Sequence, residues 1–104
     1  MTFSNLAEIN LAINWLAEMT LNSYMCDDGH TEYNIRHTVS IKDAILYSNF
    51  INDLMKDIDN IEMTTDELKE IMCKISFIEK LLHEHAVRLL SKYEDKGIDL
   101  RNIL

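Results

Sequence analysis

Apolar residues recur at helical spacing over three long stretches of this chain. In the first, Leu6, Ile9, Ile13 and Leu16 form one stripe, and Leu11, Trp15 and Met19 form another on a different face. Intervals of three and four residues return a side chain to the same side of a helix. The pattern therefore predicts a helix from Asn5 to Met25. Ser4 or Asn5 supplies its N-cap, because a short polar side chain there accepts from the free amides of the first turn. Two stripes on one helix imply cover from two directions.

The second helix starts at Ser40, with Asp43 placed to complete a capping box. Its main stripe is Ile41, Ala44, Ile45, Ser48, Ile51, Met55 and Ile58, widened by Phe50 and Leu54. The third helix starts at Thr64, with Glu67 at the box position, and runs to Lys96 before Gly97 as its C′ residue. Leu68, Ile71, Ile75, Ile78, Leu82, His85 and Leu89 alternate intervals of three and four, a seam of coiled-coil type. Lys92 and Lys96 fall in its last turn, where the helix dipole favours cations. Leu100, Ile103 and Leu104 predict one further helical turn, capped by Asp99.

Between the first two helices the period changes. Tyr33, Ile35, His37 and Val39 alternate with Asn34, Arg36 and Thr38, which predicts extended chain with the odd residues turned inward. A lone strand has no sheet to join, so this stretch reads as a connection laid across the helix ends. Asp28-Gly29 reads as the turn that stops the first helix. The expected fold is all-α: a three-helix antiparallel bundle, up-down-up, with a long third helix. It forms a single domain over residues 1–104.

The composition sharpens this picture. Of 104 residues 47% are hydrophobic, two are glycine and none is proline, which argues against a turn-rich β fold. Three helices around one axis hide one stripe each. The second stripes, Leu11, Trp15 and Met19 with Cys73, Phe77 and Leu81, therefore want another layer, and a homodimer supplies it.

The net charge is −8, and residues 1–35 hold no Lys or Arg. A second acidic stretch gathers Asp53, Asp57, Asp59, Glu62, Asp66, Glu67 and Glu70. Such a surface repels phosphate backbones, which argues against direct nucleic-acid binding and for a protein partner with a basic surface. No basic segment precedes an apolar run at the N-terminus, and no stretch of about 20 apolar residues occurs. The expectation is a cytoplasmic protein without a membrane span. Cys26 and Cys73 do not make a disulfide framework.

Candidate chemistry is sparse. In the up-down-up arrangement Cys26, His30, His37 and His85 come to one pole, and these four are the candidate metal ligands. There is no C-x-x-C and no H-E-x-x-H, and the two histidines of "HEH" point to different sides of a helix. No nucleophile sits beside a base at helical spacing and no glycine-rich phosphate loop occurs. Neither an enzyme nor a cofactor is expected.

The segment "KLLHEHAVRLLSKYEDKG" resembles, around "LHEHA", the C-terminal helix of the Rop family of plasmid copy-number regulators. Those are dimeric helical hairpins that bind RNA loops. The first helix here lacks the basic residues that such an RNA-binding face needs, so that function is not carried over.

The function expected from the sequence is that of a small acidic regulator or inhibitor of immunity, anti-defence, chaperone or adaptor type. It would act by stoichiometric protein–protein interaction. The alternative is a helical domain that binds a metal or small molecule at the 26–37 pole.

Overall fold

The structure is a computed structural model and describes residues 3–95. In chain order it contains α1 (Leu6–Thr20), β1 (Leu21–Met25), β2 (Thr31–Ile35), α2 (Ile41–Ile58) and α3 (Thr65–Asp95).

Each helix starts where a polar side chain takes up its free amides. The Asn5 side chain accepts from the Glu8 amide at 2.9 Å, and Glu8 in turn accepts from the Ser4 hydroxyl at 2.9 Å. Ser40 and Asp43 form a complete capping box at α2. Thr64 and Glu67 exchange the same reciprocal bonds at α3, at 2.9 and 3.1 Å.

The expectation of a pure all-α bundle is overturned by the segment after Thr20. The first helix does not continue to Met25. The Thr20 hydroxyl bonds back to the Leu16 carbonyl at 2.7 Å, and Leu21 turns extended, with φ −103° and ψ 140°. β1 then pairs antiparallel with β2, in the register Leu21↔Ile35, Ser23↔Tyr33 and Met25↔Thr31. The extended stretch that was expected to lack a sheet thus has a partner immediately before it in the chain. Asn22, Ser23 and Tyr24 are mediocre helix formers, and the last turn of α1 holds no basic residue. Pairing with Thr31–Ile35 gives this stretch its backbone partners.

The link between the strands is the five residues Cys26–His30, which a Cys26–His30 bond closes around a three-residue turn. The Cys26 amide donates to the His30 carbonyl at 2.8 Å, and the Gly29 amide donates to the Cys26 carbonyl at 2.9 Å. Asp27 and Asp28 lead into Gly29, whose φ is +89°. A residue with positive φ closes hairpin loops of this length, and glycine takes it without a steric penalty.

Ile35 and Val39 are buried as expected, whereas Tyr33 is half-exposed and His37 exposed. The hairpin touches the helices at its base and along one face. Tyr33 stands edge-on to Phe77 of α3, with ring centroids 5.9 Å apart. Its base is tied to α1, because the Arg36 amide donates to the Thr20 carbonyl at 2.7 Å and Arg36 Nε donates to the Glu18 carbonyl at 3.1 Å.

Successive helices run antiparallel. Phe3 lies against Phe50 and donates its amide to Asp57 Oδ2 at 2.8 Å, while Trp15, farther along α1, meets Tyr47, earlier on α2. Late on α3, His85 Nε2–H donates to the carbonyl of Val39 just before α2, at 2.7 Å. Ile9, Leu16, Ile51, Leu54, Ile75 and Leu82 form the fully buried centre. Ile45 and Leu68, both read as core from spacing, stay 39% and 38% exposed. Among the described residues, no helix is long and apolar enough to cross a membrane. The Gly97 cap and the turn at Leu100, Ile103 and Leu104 lie outside the described residues.

Candidate functional site

Two places on the molecule stand out, an aromatic face on α1 and α2 and the tip of the hairpin. On α1, Leu11, Trp15 and Met19 succeed one another at four-residue intervals and are 69%, 45% and 46% exposed. On α2, Leu46 and Phe50 share a stripe one turn apart, and Leu46 is 64% exposed. Trp15 joins the two helices through Phe50 and Tyr47, with centroid separations of 5.2 and 6.1 Å. Phe3, Glu8, Leu11, Ala12, Trp15 and Phe50 line an open groove of about 440 Å³. Spacing pointed to the α1 half of this face. On α2 the spacing reads Phe50 as core and does not single out Leu46, although the Leu46–Phe50 interval carries the signal.

The second stripe, on α3, is treated differently. Phe77 is roofed on one side by Tyr33, and Leu81 is half-buried against the core. Cys73 is exposed. The hairpin therefore supplies part of the layer that the sequence alone assigned to a second chain.

The acidic residues also divide. Asp57 accepts from the Phe3 amide, Glu67 caps α3, and Glu70 pairs with Lys74 at 3.3 Å. The bonds from Thr64 hold the Glu67 carboxyl below its ordinary value. Asp53, Asp59, Glu62 and Asp66 are exposed. Glu67, Glu70 and Lys74 also face Asn10 and Asn14 of α1 across a small polar cleft.

At the hairpin tip, Cys26, His30 and Glu32 each turn a possible ligand atom inward, and these atoms all lie within 4.8 Å of one another. The loop bond places Cys26 opposite His30, and the strand brings Glu32 to the same face, since alternate residues share a side. His30 Nε2 lies 2.8 Å from Glu32 Oε1, and His30 Nδ1 contacts Asp28 Oδ1. The Tyr24 hydroxyl donates to Glu32 Oε2 at 2.7 Å.

The hydrogen bonds from His30 and then Tyr24 hold the Glu32 carboxyl below its ordinary value. The bond to Glu32 raises Tyr24. Partial burial, followed by the nearby Glu32 charge, pushes the Cys26 thiol up. Of the four metal candidates named from sequence, the cluster takes Cys26 and His30 and adds Glu32. His85 is instead buried and bonded to Val39, and His37 is exposed.

Comparison of the chain with protein-family models, with curated proteins and with solved structures found no match.

Proposed function

We propose that this chain is a small acidic binding protein, a regulator or inhibitor that works by stoichiometric association, and that it associates as a homodimer through the α1–α2 aromatic face. The observation that carries the reading is the run of exposed Leu11, Trp15 and Met19 along α1, beside the groove that Leu11 and Trp15 line together with Phe3 and Phe50. Contiguous apolar surface of this kind marks interaction sites, whereas isolated exposed apolar residues do not. A second copy is the favoured occupant because a two-fold interface needs only one self-complementary patch, and such dimers are the commonest assemblies. Trp and its aromatic neighbours are also the side chains most often found at the energetic centre of interfaces.

Asp53, Asp59, Glu62 and Asp66 remain exposed. In this reading Asp59, Glu62 and Asp66 form the surface that meets a basic protein partner, steering its approach by charge, whereas Asp53 continues the Leu46–Phe50 stripe of α2.

Sedimentation equilibrium on the full chain and on Leu11→Glu tests the dimer. Leu11 is largely exposed, so the variant keeps its fold while placing a charge at the centre of the face. The wild type sediments as a dimer at micromolar concentration and Leu11→Glu as a monomer. A monomeric wild type, or an unaffected variant, removes the proposal. Charge reversal at Asp59, Glu62 and Asp66 leaves the dimer intact.

A further inference from the structure

We propose that the hairpin tip binds a divalent cation of the zinc class, held by Cys26 Sγ, His30 Nε2 and the Glu32 carboxylate, with water completing the coordination.

The donor set comes first. A thiolate, an imidazole and a carboxylate together suit zinc and its borderline-soft neighbours, whereas calcium and magnesium prefer oxygen alone. Three protein ligands plus a solvent position is a regular zinc arrangement.

The geometry follows. A tetrahedral zinc ion holds its ligand atoms roughly 3.3–3.7 Å apart, given its bond lengths. Here the nitrogen-to-oxygen separation is 2.8 Å, and all three atoms lie within 4.8 Å. To hold an ion the nitrogen and oxygen must part by about half an ångström, a change on the scale of side-chain torsions. That backbone is fixed by the Cys26–His30 bond and by the Gly29 turn.

The surroundings are those of a ligand site. A metal-bound histidine usually donates its other ring N–H to a carboxylate, which sets the tautomer and the ring orientation. Asp28 occupies that position against His30 Nδ1 and also accepts from the His30 amide at 3.2 Å. The second oxygen of Glu32 is likewise held, by Tyr24. Each engaged far-side atom leaves its partner, Nε2 or Oε1, turned toward the centre. Asp27, Asp28 and Glu32 crowd the tip while residues 1–35 carry no Lys or Arg, so a dication is electrostatically welcome. Binding displaces the thiol proton of Cys26 and the Nε2 proton that bonds Glu32, both to solvent, while Nδ1–H stays on Asp28.

The test uses cobalt(II) as the probe, on the full chain carrying Cys73→Ser so that one thiol remains. One cobalt binds per chain with thiolate-to-metal charge-transfer absorption, and zinc displaces it. Cys26→Ser abolishes that absorption. His30→Ala and Glu32→Gln each weaken binding at least about tenfold, and Asp28→Asn weakens it by roughly 10–100-fold. His83→Ala leaves affinity unchanged. These tip side chains are half-exposed or more apart from Cys26, and far-UV circular dichroism checks that each variant stays folded. Absence of the charge-transfer band overturns the proposal. Its survival in Cys26→Ser, or wild-type affinity in both His30→Ala and Glu32→Gln, does the same.

Discussion

Trp15 and Phe50 meet across the α1–α2 seam with ring centroids 5.2 Å apart and an interplanar angle of 61°, yet Trp15 keeps 45% of its surface exposed. The indole is anchored on its inner edge and open on its outer one. An aromatic ring already fixed in place loses little conformational freedom when a partner covers it. If a second copy does so, Trp15→Ala raises the dissociation constant by roughly 30-fold or more, the equivalent of about 2 kcal/mol. Each copy carries a net charge of −8, so the dimer also tightens as salt screens the repulsion. Sedimentation across a salt series measures both effects. Weakening with salt would point to an interface held by ion pairs.

The hairpin depends on one backbone angle. Gly29 has φ +89°, and a Cβ built on it meets nothing within 4 Å. The cost of Gly29→Ala is therefore backbone strain without a clash, about 1–2 kcal/mol. That cost falls on β1 and β2. Amide exchange accelerates at the paired strand amides and is unchanged in the centres of α2 and α3. Equal protection in both proteins would mean that the loop does not need the angle.

His85 joins α3 to the entrance of α2. It is 7% exposed and donates to the Val39 carbonyl at 2.7 Å. His85→Leu keeps most of the volume and removes the donor, which leaves a buried carbonyl unpaired. Urea unfolding should show a loss of roughly 1–3 kcal/mol. His85→Gln, which can still donate, retains more stability than the leucine variant. The opposite ranking would show that shape outweighs the hydrogen bond.

How much of this was legible in the sequence depends on how far apart the interacting residues are. The boxes Ser40–Asp43 and Thr64–Glu67 lie within a single turn, and the spacing that predicted them is the spacing observed. The seam Ile71, Ile75, Ile78, Leu82 and His85 is buried as its intervals predicted.

The strand at Leu21–Met25 was hidden because Leu21, Tyr24 and Met25 keep intervals of three and one, compatible with more helix. What makes it a strand is its pairing with Thr31–Ile35, which spacing within Leu21–Met25 does not encode. Glu32 was missed as a partner of His30 for the same reason, since only the extended conformation puts alternate residues on one side. Phe77 read as surplus surface until the hairpin placed Tyr33 against it.

The Thr64–Glu67 box makes stability depend on acid. Thr64 holds the Glu67 carboxyl below its ordinary value of 4.5. A depressed carboxyl contributes stability that is present above 4.5 and lost as pH falls through its folded value. Glu67→Gln keeps a similar shape without the charge. Thermal melts of the two proteins therefore differ at neutral pH and converge in acid. A gap that stays constant with pH would assign the effect to hydrogen-bond geometry alone.

Isotope-filtered nuclear Overhauser spectroscopy on an equal mixture of labelled and unlabelled chains records contacts only between copies, and so reads the dimer face itself. A dimer through the α1–α2 face gives intermolecular cross-peaks from the Trp15 indole to the methyl groups of Leu11 and Leu46. Cross-peaks confined to Phe77 and its neighbours, or none at a concentration where the chain is fully folded, would contradict it.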